Sequence, residues 1–143
     1  MNVRAILSRK GTDVATVAPT ATLAEAVERL ARKHIGAVVV TDNADQVVGI
    51  LSERDIVRAA ASNPASLLAT PVSEVMTREV VTCEDSDTIT SIMEVMTAGK
   101  FRHVPVLADG RLAGIISIRD VVDFRLEQME RESESLRDYI RSA

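Results

Sequence analysis

A serine, an arginine and an aspartate recur at one fixed spacing in this chain of 143 residues. The first set is Ser52, Arg54 and Asp55; the second, 65 residues on, is Ser117, Arg119 and Asp120. Each lies in a nine-residue stretch, Gly49–Val57 and Gly114–Val122, and six of the nine positions are identical. Packing alone would repeat the apolar positions. It has no need of the same hydroxyl, guanidinium and carboxylate. The chemistry open to such a set is binding: a hydroxyl and a carboxylate one turn apart at the start of a helix sit beside free backbone N–H groups that favour anions. The guanidinium adds a planar fork suited to phosphate oxygens. Plainer readings stay open at this point. Ser and Asp are ordinary helix caps, and Arg54 and Arg119 are ordinary surface ion-pair partners.

Bond-breaking chemistry has little to work with. Two histidines, one cysteine and no Gly-x-Ser-x-Gly elbow leave no nucleophile–base pair. No Walker sequence is present, and no His and carboxylate cluster has metal-ligand spacing; the expectation is a non-enzyme that holds no metal. A net charge of -4, with two Phe, one Tyr and no Trp, lacks both the basic stripe and the stacking platform of a nucleic-acid binder. Cys83 is alone, so no intrachain disulfide can form. No stretch has the apolar length of a membrane span or a signal peptide, which points to a cytoplasmic protein with no membrane partner. At 46% hydrophobic residues the chain can bury a core of Val, Ile, Leu, Ala and Met as one integrated domain.

The duplication reaches beyond the polar sets. Val3–Ser8 resembles Val72–Thr77, a short amphipathic turn opening each half. Val14–Val17 and Val80–Cys83 read as matching short strands. Thr22-Leu23-Ala24-Glu25 reads as a capping box, and Leu23, Val27 and Leu30 then follow helical spacing, as do Ile89, Ile92, Met93 and Met96. Two strands follow each helix: Ala37–Val40 with Val47–Leu51, and Val104–Leu107 with Leu112–Ile116. Asp109-Gly110 is a hairpin signal, and Pro105, without an N–H, predicts an edge or irregular position. Residues 1–61 form the first repeat, 62–71 a linker, 72–124 the second repeat and 125–143 a helical extension. Along that extension Val122, Leu126, Met129, Leu136 and Ile140 make an apolar stripe interrupted by Ser133. It either docks along its own domain or meets its copy in an oligomer.

From Val3 to about Phe124 the chain resembles a tandem pair of CBS domains, or Bateman module. The opening turns ending Ile6-Leu7-Ser8 and Val75-Met76-Thr77, the segment His103-Val104-Pro105-Val106 and the paired Gly-x-x-Ser-x-x-Asp stretches carry the likeness. The resemblance implies an α+β fold of two β-α-β-β-α repeats packed sheet to sheet with pseudo-twofold symmetry, plus a long C-terminal helix. It also implies a stand-alone regulatory protein, expected as a homodimer acting on an unknown regulated protein, that needs no cofactor and binds an adenosyl ligand such as AMP, ATP or NAD(H) between the repeats. A carboxylate can accept a bond from each vicinal hydroxyl of a ribose, at about 1.5–3 kcal/mol for such charged bonds. The resemblance gives that role to Asp55 and Asp120, and ribose or phosphate to Ser52 and Ser117; the guanidinium fork suits Arg54 and Arg119 to phosphate. The resemblance also gives adenine contacts to Thr16, Val17, Thr82 and Cys83, and apolar purine walls to Ala37, Val38, His103 and Val104. Arg102 and His103 are expected to serve the site of Asp55. The site of Asp120 then faces Gly36 and Ala37, with more room and less positive charge. A ligand-free dimerisation scaffold is the alternative.

Overall fold

The computed structural model describes residues 1–142. In chain order it contains α1 (Val3–Lys10), β1 (Thr16–Val17), α2 (Leu23–Lys33), β2 (Ala37–Thr41), β3 (Val47–Ser52) and α3 (Glu53–Ser62). A 3-10 turn over Pro64–Ala69 leads to α4 (Val72–Val75), β4 (Cys83–Glu84), α5 (Ile89–Gly99), β5 (His103–Ala108), β6 (Arg111–Ser117) and α6 (Ile118–Ser142). Local chemistry sets these limits. Thr22 Oγ1 accepts from the Glu25 N–H at 3.3 Å, and Thr88 Oγ1 from the Ser91 N–H at 3.1 Å, so each hydroxyl starts its helix. The return bond of a full capping box is absent at Thr22. His34 and Lys100, at φ 54° and 57°, end α2 and α5 in the left-handed conformation and turn the chain into the next strand.

The strands make two three-stranded sheets, ordered β1-β2-β3 and β4-β5-β6. Each central strand pairs parallel with the short strand and antiparallel with its hairpin partner. Asp109 and Gly110, at φ 52° and 76°, both have the positive φ that a two-residue hairpin turn of this hand requires. In the other hairpin Asp42 Oδ1 accepts from the N–H groups of Ala44 and Gln46, each at 2.9 Å.

Pro105 departs from expectation: it lies in the middle strand of its sheet, paired with Ile115. The cost appears on its other side. In the first sheet the Val39 N–H donates to Ala15 O at 3.0 Å, and pairing begins at Thr16 opposite Val39. Pro105 holds the place of Val39 and has no N–H to give. Pairing there begins one residue later, at Cys83 opposite Val106, and Thr82 stays outside the strand.

The hydrophobic cores do not follow the chain halves. Val3, Ile6 and Leu7 of α1 pack with Cys83, Ile92, Val104, Ile116 and Phe124 of the second half. Val72 and Met76 pack with Val17, Leu23, Val38 and Leu51 of the first. Glycine makes both contacts possible: a Cβ on Gly114 would stand 2.7 Å from Leu7 Cδ2, and one on Gly49 would stand 2.4 Å from Met76 Sδ. The turns expected to open their own halves are exchanged between them. Burying each large apolar side chain stabilises such docking by roughly 1.5–3 kcal/mol. Val39 and Pro105 are also fully buried yet belong to neither core. By strand alternation they occupy the sheet faces turned away from those cores.

The expected extension is not a separate element. α6 starts at Ile118 as the closing helix of the second half, buries Val121 and Phe124, and runs unbroken to Ser142; Ala143, the end of the extension read from sequence, lies outside the described residues. The stripe does not dock on its own domain. Val122, Leu126, Met129, Leu136 and Ile140 are all exposed. Among the described residues no helix is long and apolar enough to cross a membrane.

Candidate functional site

Both polar sets stand where a strand becomes a helix. β3 ends at Ser52 and β6 at Ser117, and each next residue opens α3 or α6. In the first set the Asp55 N–H donates to Ser52 Oγ at 3.3 Å, while the Ser52 N–H and hydroxyl donate to Asp55 Oδ2 at 3.0 and 3.1 Å. In the second, the Asp120 N–H donates to Ser117 Oγ at 3.1 Å and the Ser117 N–H to Asp120 Oδ2 at 2.8 Å. Capping is therefore present at both sites. It does not consume the carboxylates, since each oxygen holds two lone pairs.

Their further partners come from the exchanged opening segments. The Thr77 hydroxyl, just after α4, donates to Asp55 Oδ1 at 3.3 Å. Lys10, the last residue of α1, places Nζ 2.6 Å from Asp120 Oδ2 and 2.8 Å from Ile115 O. Burial alone would raise the Asp120 carboxyl, but the Lys10 and Ser117 hydrogen bonds outweigh it and hold the group below its ordinary range.

The cleft between the repeats contains two cavities, one at each set. Ser52, Arg54, Asp55, Thr77 and Lys100 line the first, of about 700 Å³. Ala37, His34, Lys10, Ser117, Arg119 and Asp120 line the second, of about 1280 Å³. Gly36, Glu53, Val57, Arg102 and His103 belong to both, so they form the wall between. Crossing contacts build this wall: a Cβ on Gly36 would come within 3.2 Å of the His103 ring, and Arg54 donates to Lys100 O at 3.1 Å. Burial, and then Lys10, hold the His103 imidazole below its usual pKa. The site of Asp120 has the extra room read from Gly36 and Ala37, but not the lower charge. Each cavity is lined by four Lys or Arg and three Asp or Glu, because Lys10 and Lys33 enter the second from α1 and α2, away from the Ser-x-Arg-Asp sets.

Six residues singled out in the sequence lie on neither cavity: Thr16, Val17, Val38, Thr82, Cys83 and Val104. Val17, Val38, Cys83 and Val104 point into the helix-covered cores. Burial, then Asp87 and Asp85, push the Cys83 thiol up to about 12, leaving it inert. Thr16 offers its carbonyl to Arg29, and Thr82 borders a separate shallow pocket. The short strands meet the cleft slightly upstream instead, through Asp13 and Ala15 in one half and Glu79, Val80 and Val81 in the other. Period-two alternation accounts for the shift, since a residue facing a core cannot also face the cleft. Lys10 and Thr77 were missed as site residues. Thr77 ends a repeated turn, but nothing in the sequence places that turn on the other half.

A family model described as CBS domain matches residues 3–62 and again 72–127. The chain belongs to the CBS-domain family. This CBS pair is 51% identical to the CBS-domain containing protein ATU1752 from Agrobacterium tumefaciens, with a TM-score of 0.85 over 87% of this chain and 99% of that one. An uncharacterized 17.7 kDa protein of Acidianus ambivalens is 38% identical over 111 residues, 77% of this chain and 66% of the relative. The CBS domain-containing protein CBSCBSPB1 of Arabidopsis thaliana is 32% identical over 119 residues; the match takes in 83% of this chain but only 22% of that protein. The CBS domain pair of protein MJ0100, solved in complex with 5-methylthioadenosine and S-adenosyl-L-methionine, has a TM-score of 0.80 and 25% identity over 90% of this chain and 98% of that one.

Proposed function

We propose that this regulatory CBS pair is a sensor for adenosine-containing ligands, AMP, ATP or NAD(H) among them, held in the cleft between its repeats. The observation that carries this is the recurrence, in each of two cavities, of a carboxylate fixed by a serine at a helix start. Such a group can accept both hydroxyls of a ribose, and phosphate has Arg54 and Arg102 in the lining of the first cavity and Arg102 and Arg119 in that of the second. A pocket of several hundred Å³ suits a ligand of that size, and a relative of the same fold binds two adenosine derivatives. The protein is read as cytoplasmic, without catalytic activity or a required cofactor, and as a homodimer that passes ligand occupancy to a regulated partner. Ligand drives that signal only as far as it prefers one arrangement of the repeats.

Thermal unfolding with AMP, ATP, NADH and 5-methylthioadenosine tests this. A ligand at 100 times its Kd adds about 2.7 kcal/mol, a rise of roughly 5–11 °C for a chain of this size. Asp55→Asn keeps an acceptor for the helix cap but removes the charge, and is expected to weaken the first site about 10- to 100-fold. No shift from any of the four ligands refutes the sensor. An unchanged first-site Kd in Asp55→Asn removes Asp55 from the ribose.

A further inference from the structure

α6 carries two faces with different histories. On one, Val121 and Phe124 are buried in the core of the second repeat and Glu127 pairs with Arg9 of α1. The other presents Val122, Leu126, Met129, Ser133, Leu136 and Ile140, at successive intervals of 4, 3, 4, 3 and 4 residues. That is an uninterrupted heptad seam with Leu126, Ser133 and Ile140 at a and Val122, Met129 and Leu136 at d; the serine keeps the register rather than breaking it. The five apolar members are 47–65% exposed, too open for side chains packed on their own domain. In the same frame Phe124 is an f residue, diametrically across the helix from the seam, so the domain and the seam occupy opposite sides.

We propose that this seam binds the same seam of a second copy, as a parallel two-stranded coiled coil. The flanking charges choose both the occupant and its direction. Position e holds Asp123, Glu130 and Arg137, and position g holds Arg125, Glu132 and Tyr139. Parallel copies in register bring Arg125 against Glu130 and Glu132 against Arg137, each pair formed twice by symmetry, so every g–e contact within the seam joins opposite charges. Antiparallel copies overlapping fully bring Glu130 against Glu130 and Glu132 against Glu132 at the middle of the seam. The same alignment pairs Asp123 with Arg137 twice, so its two attractions are offset by two repulsions, whereas the parallel pair has four attractions and no repulsion. The parallel dimer also fits the domains, which root both helices at one end and lie on the outer f sides. Because Val121 and Phe124 already hold the first turns of α6, the seam needs no helix nucleation. None of this depends on what the cleft holds.

Disulfide trapping in the full chain tests the seam and its direction. In the parallel dimer two Ile140→Cys residues meet at the a layer, within the 4.4–6.8 Å that a disulfide spans between Cα atoms. In the antiparallel one they stand about 27 Å apart, 18 residues at 1.5 Å each. Ile140→Cys is expected to oxidise to a cross-linked dimer while Arg131→Cys, at f, does not; buried Cys83 contributes no background. Sedimentation equilibrium of the natural chain should give twice 15.5 kDa, and Leu136→Glu should return it to 15.5 kDa without touching the folded core. Filling the polar layer with Ser133→Val should tighten the dimer about tenfold or more. A monomeric natural chain, which would leave the seam to another protein's helix, overturns the proposal. So does an Ile140→Cys chain that stays uncross-linked, or a dimer mass unmoved by Leu136→Glu.

Discussion

Replacing Leu7 by Ala tests the exchange of opening helices, because the damage is expected far along the chain from the change. Leu7 is 6% exposed and sits in the core of the second repeat. Its neighbour there is Gly114, which has no side chain to close the gap that truncation leaves. Leu→Ala changes at buried sites cost about 2–5 kcal/mol, with the larger values where the site cannot collapse. We therefore expect about 3–4 kcal/mol, and a Tm lower by roughly 6–16 °C for a chain of this size. Calorimetry measures the first effect. Native-state hydrogen exchange measures its place: amides of β5 and β6 should lose protection before those of β2 and β3. Met76→Ala should give the mirror pattern, opening β2 and β3 first. If Leu7→Ala instead exposes β2 and β3, or costs less than about 1 kcal/mol, α1 belongs to the first repeat and the exchange is refuted.

Lys10→Met removes the cation that donates to Asp120 Oδ2 at 2.6 Å. On the sensor reading, second-site affinity for uncharged 5-methylthioadenosine should rise about tenfold by titration calorimetry with the first site unchanged, and an unaltered second-site Kd would exclude Lys10 as the competitor. Stability should also depend on pH in two windows. The folded state holds His103 below its ordinary pKa, so as pH falls under about 6.5 the unfolded chain takes up that proton first and stability declines. The depressed Asp120 contributes stability above about pH 3.9 that is lost as pH falls further. Denaturant midpoints between pH 7.5 and 3 should show both steps, with Lys10→Met reducing the lower one; a flat profile from pH 7 to 5 would remove the His103 contribution.

Features that depend on neighbours in the chain were the legible ones. Thr22 and the Asp109-Gly110 turn declare their elements through a side-chain hydrogen bond and positive φ, which act within four residues. The Ser52–Asp55 and Ser117–Asp120 pairs were visible because the chain states them twice. Illegible were facts set by packing between halves. Pro105 looks like an edge residue because its missing N–H is visible and the strand beside it, which simply starts later, is not. Val38 and Val104 look like cleft walls until strand alternation turns them into the cores. Lys10 and Thr77 reach the carboxylates only because each opening segment crosses to the other half. In the sequence, capping and ligand grip look like rival roles for Asp55 and Asp120. The geometry makes them compatible, since a carboxylate that caps a helix with one oxygen retains acceptor capacity.

The crossing of α1 also bears on how the protein is made. A ribosome delivers Val3, Ile6 and Leu7 first, yet the surface that buries them is complete only when Phe124 has emerged. At 5–20 residues per second the delay is roughly 6–25 s. Throughout it the leading helix has no native partner, while the first sheet must itself wait for Val72 and Met76. A newly made half cannot finish folding on its own, so the interval before the last strands appear is the one in which a nascent chain is open to chaperones or to another copy's exchanged helix.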